Sequence, residues 1–215
     1  VIGKNGNKGL STRLVMSYAA METQYDNEQK LVNAFNNHTR RSSNQQTINA
    51  TMETRIKLES KWALNGHHQL EGALSWIGNR SSWSEDTAGV NFIDQSISGS
   101  HITFMLQDRI NFGKLRIVPG IRLTRLPYLE KFFFEPRIST SYELSKSLDF
   151  NLAAGLYRQY LTKNSVKDEY GNYRYMWTVA NDSEYPVLRS KHVAASFTLE
   201  MESTQTSFSP FYKTT

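Results

Sequence analysis

The 215-residue chain has no cysteine, which removes disulfide frameworks, thiol catalysis and cysteine-based zinc sites together. It also lacks any run of ~18 apolar residues, so no part of it makes a transmembrane helix. The five histidines do not gather. His38, His101 and His192 stand alone, and His67-His68 sits in a predicted turn, where adjacent side chains point apart. No metal or catalytic cluster, and no cofactor, is expected. Neither a G-x-S-x-G elbow nor a phosphate-cradling G-x-x-x-x-G-K followed by Ser or Thr occurs. A barrel could still assemble Ser, His and Asp from separate strands, but no signature supports an enzyme. The opening Val1-Ile2-Gly3-Lys4-Asn5-Gly6 has none of the character of a secretory signal and reads as a strand end running into a turn. Phe208 to Tyr212 reads as a strand only just begun, so both ends look cut.

The totals match those of a soluble protein, with 39% hydrophobic and 21% charged residues. The net charge of +5 comes from Lys and Arg spread along the chain, which argues against a nucleic-acid partner. What totals hide is alternation. From Gln46 to Leu64, Ile48, Ala50, Met52, Thr54, Ile56, Leu58, Trp62 and Leu64 share one parity. Asn49, Glu53, Arg55, Lys57, Glu59 and Lys61 share the other. Successive side chains of a strand point to opposite faces, so this is one long strand with an apolar and a charged face. Soluble strands average ~5–6 residues. Transmembrane barrel strands need ~9–11 to cross and alternate between lipid and lumen.

Period-2 segments recur near 10–22, 46–64, 69–80, 100–112, 115–126, 133–145, 149–161, 189–203 and 207–214. The connections alternate in length. Residues 65–68, 111–114, 145–148 and 203–206 read as tight turns, whereas 23–45, 81–99 and 162–188 read as long loops, with 127–132 a shorter member of that set. An up-and-down antiparallel sheet then has all its short turns at one end and all its long loops at the other, as outer-membrane barrels do. The fold expected is an all-β, antiparallel up-and-down transmembrane β-barrel, partial because bacterial barrels have an even strand count and no open edge in lipid. A soluble sandwich also alternates, but without this short-long rhythm.

Pro119-Gly120-Ile121-Arg122, Pro136-Arg137-Ile138-Ser139 with Tyr142, and the run Ala153 to Gln159 resemble the barrel of TonB-dependent outer-membrane receptors, closest to those of the Bacteroidetes. Tyr185-Pro186-Val187-Leu188 with His192 looks like the segment entering the strand after a long extracellular loop, and Phe211-Tyr212-Lys213 is similar to the family's "YYK" ending. The likeness covers about residues 114–213 and is architectural. It implies a 22-stranded barrel filled by an N-terminal plug, which imports a scarce ligand such as a siderophore, cobalamin or oligosaccharide when TonB pulls the plug. All 215 residues would belong to that one barrel domain, with the plug absent. The partners it implies are outer-membrane lipid, the plug, the TonB complex and a surface lipoprotein. A passive porin-like channel and a soluble β-rich adhesion or binding module are the alternatives.

Candidate site residues follow from parity and composition. Glu53 and Arg55 lead the charged row of the long strand, which reads as a solvated wall of compensating charges, with a ligand path or plug contact as the alternative. Arg109, Arg116, Arg122 and Arg137 fall on the predicted lumen face, where a plug could dock. Loop 162–188 carries Tyr170, Tyr173, Tyr175 and Trp177 among charged residues, a composition suited either to gripping a ligand or to an interfacial girdle. Trp76, Trp83, Tyr128, Phe132, Phe133 and Tyr160 lie near loop-side strand ends and read as girdle or rim.

Overall fold

A computed structural model of the chain describes residues 2–5, 9–32, 39–167 and 173–215. Its strands are β1 (Ile2–Asn5), β2 (Leu10–Val32), β3 (Thr39–Ala63), β4 (His68–Thr87), β5 (Val90–Phe112), β6 (Leu115–Leu126), β7 (Lys131–Ser145), β8 (Leu148–Gln159), β9 (Leu161–Lys167), β10 (Tyr173–Val179), β11 (Leu188–Met201), β12 (Thr204–Phe208) and β13 (Phe211–Thr214). One antiparallel sheet runs β1 to β8 in chain order and continues through β11 to β12, with β13 also on β11. β9 and β10 form a separate hairpin. Among the described residues the sheet is open, a wall of an up-and-down barrel rather than a closed one. Among the described residues no helix is long and apolar enough to cross a membrane.

β12 and β13 are one strand position interrupted at Pro210. The proline has no N–H to give, and its carbonyl accepts the Ala195 N–H at 3.0 Å. The tight turns have local causes. Asn65 Oδ1 accepts from the backbone N–H groups of His67 and His68 at 2.8 and 2.9 Å, an Asx turn that launches β4. His68 is already in the strand, and its Nδ1 lies 2.6 Å from Asp108 Oδ2. That pairing accommodates the acid that breaks the outward apolar row near the turn end of β5.

Two expected loops are strand instead. β2 and β3 stay in register from Leu10↔Trp62 to Lys30↔Ser42, and β4 and β5 extend to Thr87 and Val90. Segments 81–99 and, within the described residues, most of 23–45 are therefore hairpin arms. Ala88 and Gly89 close the β4–β5 hairpin with φ of 55° and 81°, both left-handed as a type I′ turn requires. The reason the pattern is lost in sequence is physical. In the outer arms neither face needs a continuous apolar row, so Ser81, Ser82, Ser84, Ser96 and Ser98 erase the alternation while the backbone ladder continues.

The polarity of the sheet is inside out. On one face Leu74 is 52% exposed and Phe134 56%, with Met16, Trp76, Ile102, Phe104 and Ile138 also exposed. On the other face Glu71, Ser75, Asn79, Thr103 and Thr124 are buried, and Glu135 is 0% exposed. Exposed large apolar patches and buried polar groups are the informative exceptions to soluble packing. Register confirms the parity: Lys57, Ser75 and Thr103 are successive cross-strand partners, as are Ile56, Trp76 and Ile102.

Candidate functional site

The inner, polar face is occupied at one end. The β9–β10 hairpin, read from sequence as part of a loop, folds back over β3, β4 and β5. Its seat is made by side chains. Asn49 on β3 presents its amide as a strand would: Oδ1 accepts the Trp177 N–H at 2.7 Å and Nδ2 donates to the Trp177 carbonyl at 3.1 Å. Ser81 on β4 donates to the same carbonyl. Arg174 donates to Thr47 Oγ1 at 2.6 Å and Gln45 Oε1 at 3.0 Å, pairs with Glu85 at 3.3 Å, and lies over the Tyr25 ring. Small polar residues at 47, 49, 51 and 81 make the wall flat enough to take a second layer.

The segment after β10 completes the dock. Ala180 donates its N–H to the Tyr160 carbonyl at 2.9 Å, and Tyr128 donates to the Ala180 carbonyl at 3.0 Å. Burial pushes the Tyr128 hydroxyl up to about 12. Asn181 Oδ1 accepts from the N–H groups of Ser183 and Tyr185, and Lys131 pairs with Asp182. That ammonium, through its hydrogen bond, holds the Asp182 carboxyl below its usual range. Leu126, Tyr160, Ala180 and Val187 form a small core beneath, with Leu129 and Phe133 against it. Gly99 on β5 is what lets the segment approach: a Cβ there would come within 2.8 Å of Tyr128 and 2.9 Å of Val179. Below this core Glu135 accepts from Tyr160 at 2.9 Å and Thr124 at 3.3 Å, and pairs with Arg122 at 3.4 Å. A buried carboxylate is tolerable only with such a set of partners.

Two hollows lie between hairpin and wall. One, of about 400 Å³, is lined by Tyr25, Asn49, Trp83, Lys163, Tyr173 and Tyr175 among others. The other, of about 450 Å³, has Trp83, Asp94, Trp177, Glu184 and Tyr185 in its lining. Lys163 sits 4.4 Å from the Tyr175 ring centre and Lys167 5.8 Å from that of Tyr173. Trp83 Nε1 is buried without a hydrogen-bond partner among the described residues. Aromatic faces, ammonium groups and a free indole donor can together hold a ligand that is flat, anionic or both.

Of the sequence candidates, Tyr173, Tyr175 and Trp177 come together here, and Tyr170 lies outside the described residues. The arginines are inner-face by register but do not converge on the hollows. Arg55 pairs with Glu53 at 2.9 Å, Arg109 with Glu71 at 3.2 Å and Arg122 with Glu135, while Arg116 donates to Asn111 Oδ1 at 3.1 Å. Arg137 lies 5.6 Å from the Tyr157 ring centre. The rim reading needs correction at four aromatics. Trp76 and Phe132 face outward, but Trp83 has inner parity and lines both hollows, and Tyr128, Phe133 and Tyr160 pack under the docked segment. The chain bends after Gln159, and that bend swings Tyr160 inward where strict alternation would send it out. Sequence reasoning missed Asn49 and Ser81, which nothing distinguishes from other small polar wall residues.

No family model matches the chain, and no curated protein matches it. Solved structures do match its fold. The siderophore receptor PirA from Pseudomonas aeruginosa aligns with a TM-score of 0.56 at 9% identity, over 98% of this chain and 44% of its own. FpvA of P. aeruginosa, solved with a pyoverdine–iron complex, aligns at 0.55 and 13% identity over 98% of this chain and 31% of its own. The RagAB peptide transporter aligns at 0.53 and 8% identity over 92% and 27%. This chain thus spans less than half the length of each. At such identities the likeness is one of fold, shared with proteins described as a siderophore receptor, a pyoverdine-binding protein and a peptide transporter.

Proposed function

We propose that the chain is barrel wall from a TonB-dependent receptor of the Bacteroidetes type, resident in a Gram-negative outer membrane and taking up a scarce ligand from the cell surface. The observation that carries this is the inverted sheet with a loop hairpin seated on its polar side. Apolar side chains face out along every full-length strand, which suits lipid, and the hairpin narrows the space a ligand must traverse. In this reading the hollows at Tyr25, Trp83, Lys163, Tyr175 and Trp177 are the surface a ligand meets. The inner arginines, largely compensated by carboxylates, face a plug carried elsewhere in the parent protein. A surface lipoprotein partner is the further expectation from the sequence resemblance. The reading includes no catalytic step.

The test is fractionation and uptake with the parent protein. Recovery in the outer membrane with heat-modifiable gel mobility, and uptake that stops when TonB is deleted, is the expected result. Uptake that persists without TonB identifies a passive channel instead. Release into water without detergent identifies a soluble module and overturns the proposal.

A further inference from the structure

The wall is not of even height. β6 last pairs with β5 at Ile102↔Arg125, above which the chain turns back through 127–130, but β4 and β5 run on together to Thr87 and Val90. Trp76, the partner of Ile102, stands eight residues above the β4 turn end at His68, and Ser84, the partner of Asp94, stands sixteen above it. At ~3.4 Å per residue and ~40° of tilt, these positions are ~21 and ~42 Å up the wall. A ~30 Å hydrocarbon core ends between them, so the upper part of β5 lies in water, where an unpaired strand edge can exist.

That edge is unpaired from Asp94 to Ser98. Asn111 gives its N–H to the His67 carbonyl at 2.8 Å, and the register with β4 is unbroken from His68↔Ile110 to Glu85↔Ile93, so odd-numbered residues of β5 bond toward β4. The backbone groups of Asp94, Ser96 and Ser98 therefore point the other way. Among the described residues nothing bonds to them, and all three residues are exposed. Sheets blunt such edges with proline, lysine or a bulge. Between Ile93 and Ser98 β5 has none of these; its irregularity against β4 is higher, at Phe92.

A hollow flanks the edge on each face. The inner one, of about 450 Å³, is bordered by Asp94 and Gln95 on β5 and by Trp177, Glu184 and Tyr185 opposite. Asp94 and Glu184 are exposed and have no ion-pair partner among the described residues. The outer one, of about 550 Å³, has Met52, Trp76, Ser98 and Pro127 in its lining.

Resting on the outer-membrane reading above, we propose that this edge is a docking site for an extended segment of a second cell-surface protein, which adds to β5 as an antiparallel strand. Residues opposite Asp94, Ser96 and Ser98 exchange backbone bonds with them and share their outward face. Those residues are apolar and meet the outer hollow. Their neighbours in the added strand face inward and are basic, matched to Asp94 and Glu184 and to the rings of Trp177 and Tyr185. The 127–130 turn stands at the foot of the edge, so the occupant continues the wall itself and does not lie along the interior that a transported ligand crosses. The β5 of a second copy in the same membrane runs the same way and cannot be the antiparallel partner.

The experiment is peptide binding to the full parent protein in mild detergent, read by fluorescence anisotropy. The probe is a labelled Val-Lys-Val-Lys-Val-Lys-Val peptide with blocked ends. N-methylation of its valines removes the N–H groups turned to β5 and is expected to weaken binding at least about tenfold, whereas N-methylation of its lysines leaves binding within about twofold. Ser98→Pro, which takes the edge N–H from β5, and the Asp94→Asn/Glu184→Gln pair each weaken binding of the unmodified peptide, with heat-modifiable mobility, the mark of an intact barrel, unchanged. Absence of binding, equal loss from the two methylated peptides, or binding unchanged in the folded variants overturns the site. Should Ser98→Pro not fold, the two methylated peptides on wild type still decide. Accumulation of the peptide inside cells only when TonB is present makes it cargo and overturns the partner reading. Release of the wild-type protein into water without detergent defeats the membrane reading itself, a failure distinct from loss of peptide by an intact barrel.

Discussion

The β4–β5 hairpin and the β9–β10 hairpin are both antiparallel pairs, yet they are held in opposite ways. β4 and β5 are bonded through their backbones on both sides, β4 to β3 and β5 to β6. β9 and β10 pair only with each other, Tyr173↔Lys167 to Val179↔Leu161, and are fixed to the wall by the side chains of Asn49, Ser81 and Arg174. A backbone ladder is indifferent to which residue supplies the N–H, so the wall tolerates substitution provided the face keeps its polarity. A side-chain seat is specific. One change can undo it without touching the barrel.

The contrast is most sharply broken by reversing polarity in the wall. Leu74→Arg, six residues above the β4 turn end and facing outward, is expected to cost ~2–4 kcal/mol near the bilayer midplane, read by refolding into lipid vesicles at increasing urea. Ala153→Arg, at an exposed inward-facing position of β8, should leave that midpoint nearly unmoved. Next comes the seat. Asn49→Leu leaves the Trp177 N–H and carbonyl without their amide, a penalty of ~1–3 kcal/mol. Limited proteolysis should cut within 161–179 while the barrel keeps its heat-modifiable mobility; an uncut hairpin would show that the amide is dispensable. Gly99→Leu should have a similar outcome by displacing Tyr128 and Val179.

Smaller effects sharpen the same line. Tyr128→Phe removes one hydrogen bond, worth about 1 kcal/mol, and should raise the cleavage rate only modestly. The hydroxyl has its folded value raised from 10.0 to about 12, so what it adds to docking is whole below pH ~10 and lost as pH rises through about 12. Cleavage in wild type should climb across that window and stay flat in Tyr128→Phe. Smallest of all is Lys131→Ala. The Asp182 value is depressed, so this pair helps above the usual carboxylate range and fades as pH falls through the lower folded value. Its exposure predicts a cleavage rate barely above wild type.

The contrast also explains what could be read in the sequence. The nine main strand positions, the turns and the parity of Lys57, Ile102 or Phe134 were legible because an apolar outer face and a polar inner face impose period 2 directly on residue type. The outer arms were not, since serine-rich stretches such as Ser81 to Ser84 pair through backbone alone. Aromatics in 173–177 marked the loop as unusual, but its position on the inner face depends on Asn49, a residue 128 positions away from Trp177. No periodicity reports a contact of that span. Tyr160 misled for a related reason, because alternation cannot register a bend.

The bond from Asn49 to Trp177 is a chord. It joins β3 to a segment between β8 and β11, strands that sit far apart along the arc, so it sets a distance across the curve as a string sets the bend of a bow. Closing it requires a loop of more than a hundred residues to be in place, which makes it a late event in assembly. Until then the arc is free to open and admit neighbouring strands; afterwards its radius is fixed. A barrel braced in this way can reach its final circumference only once its interior has been furnished.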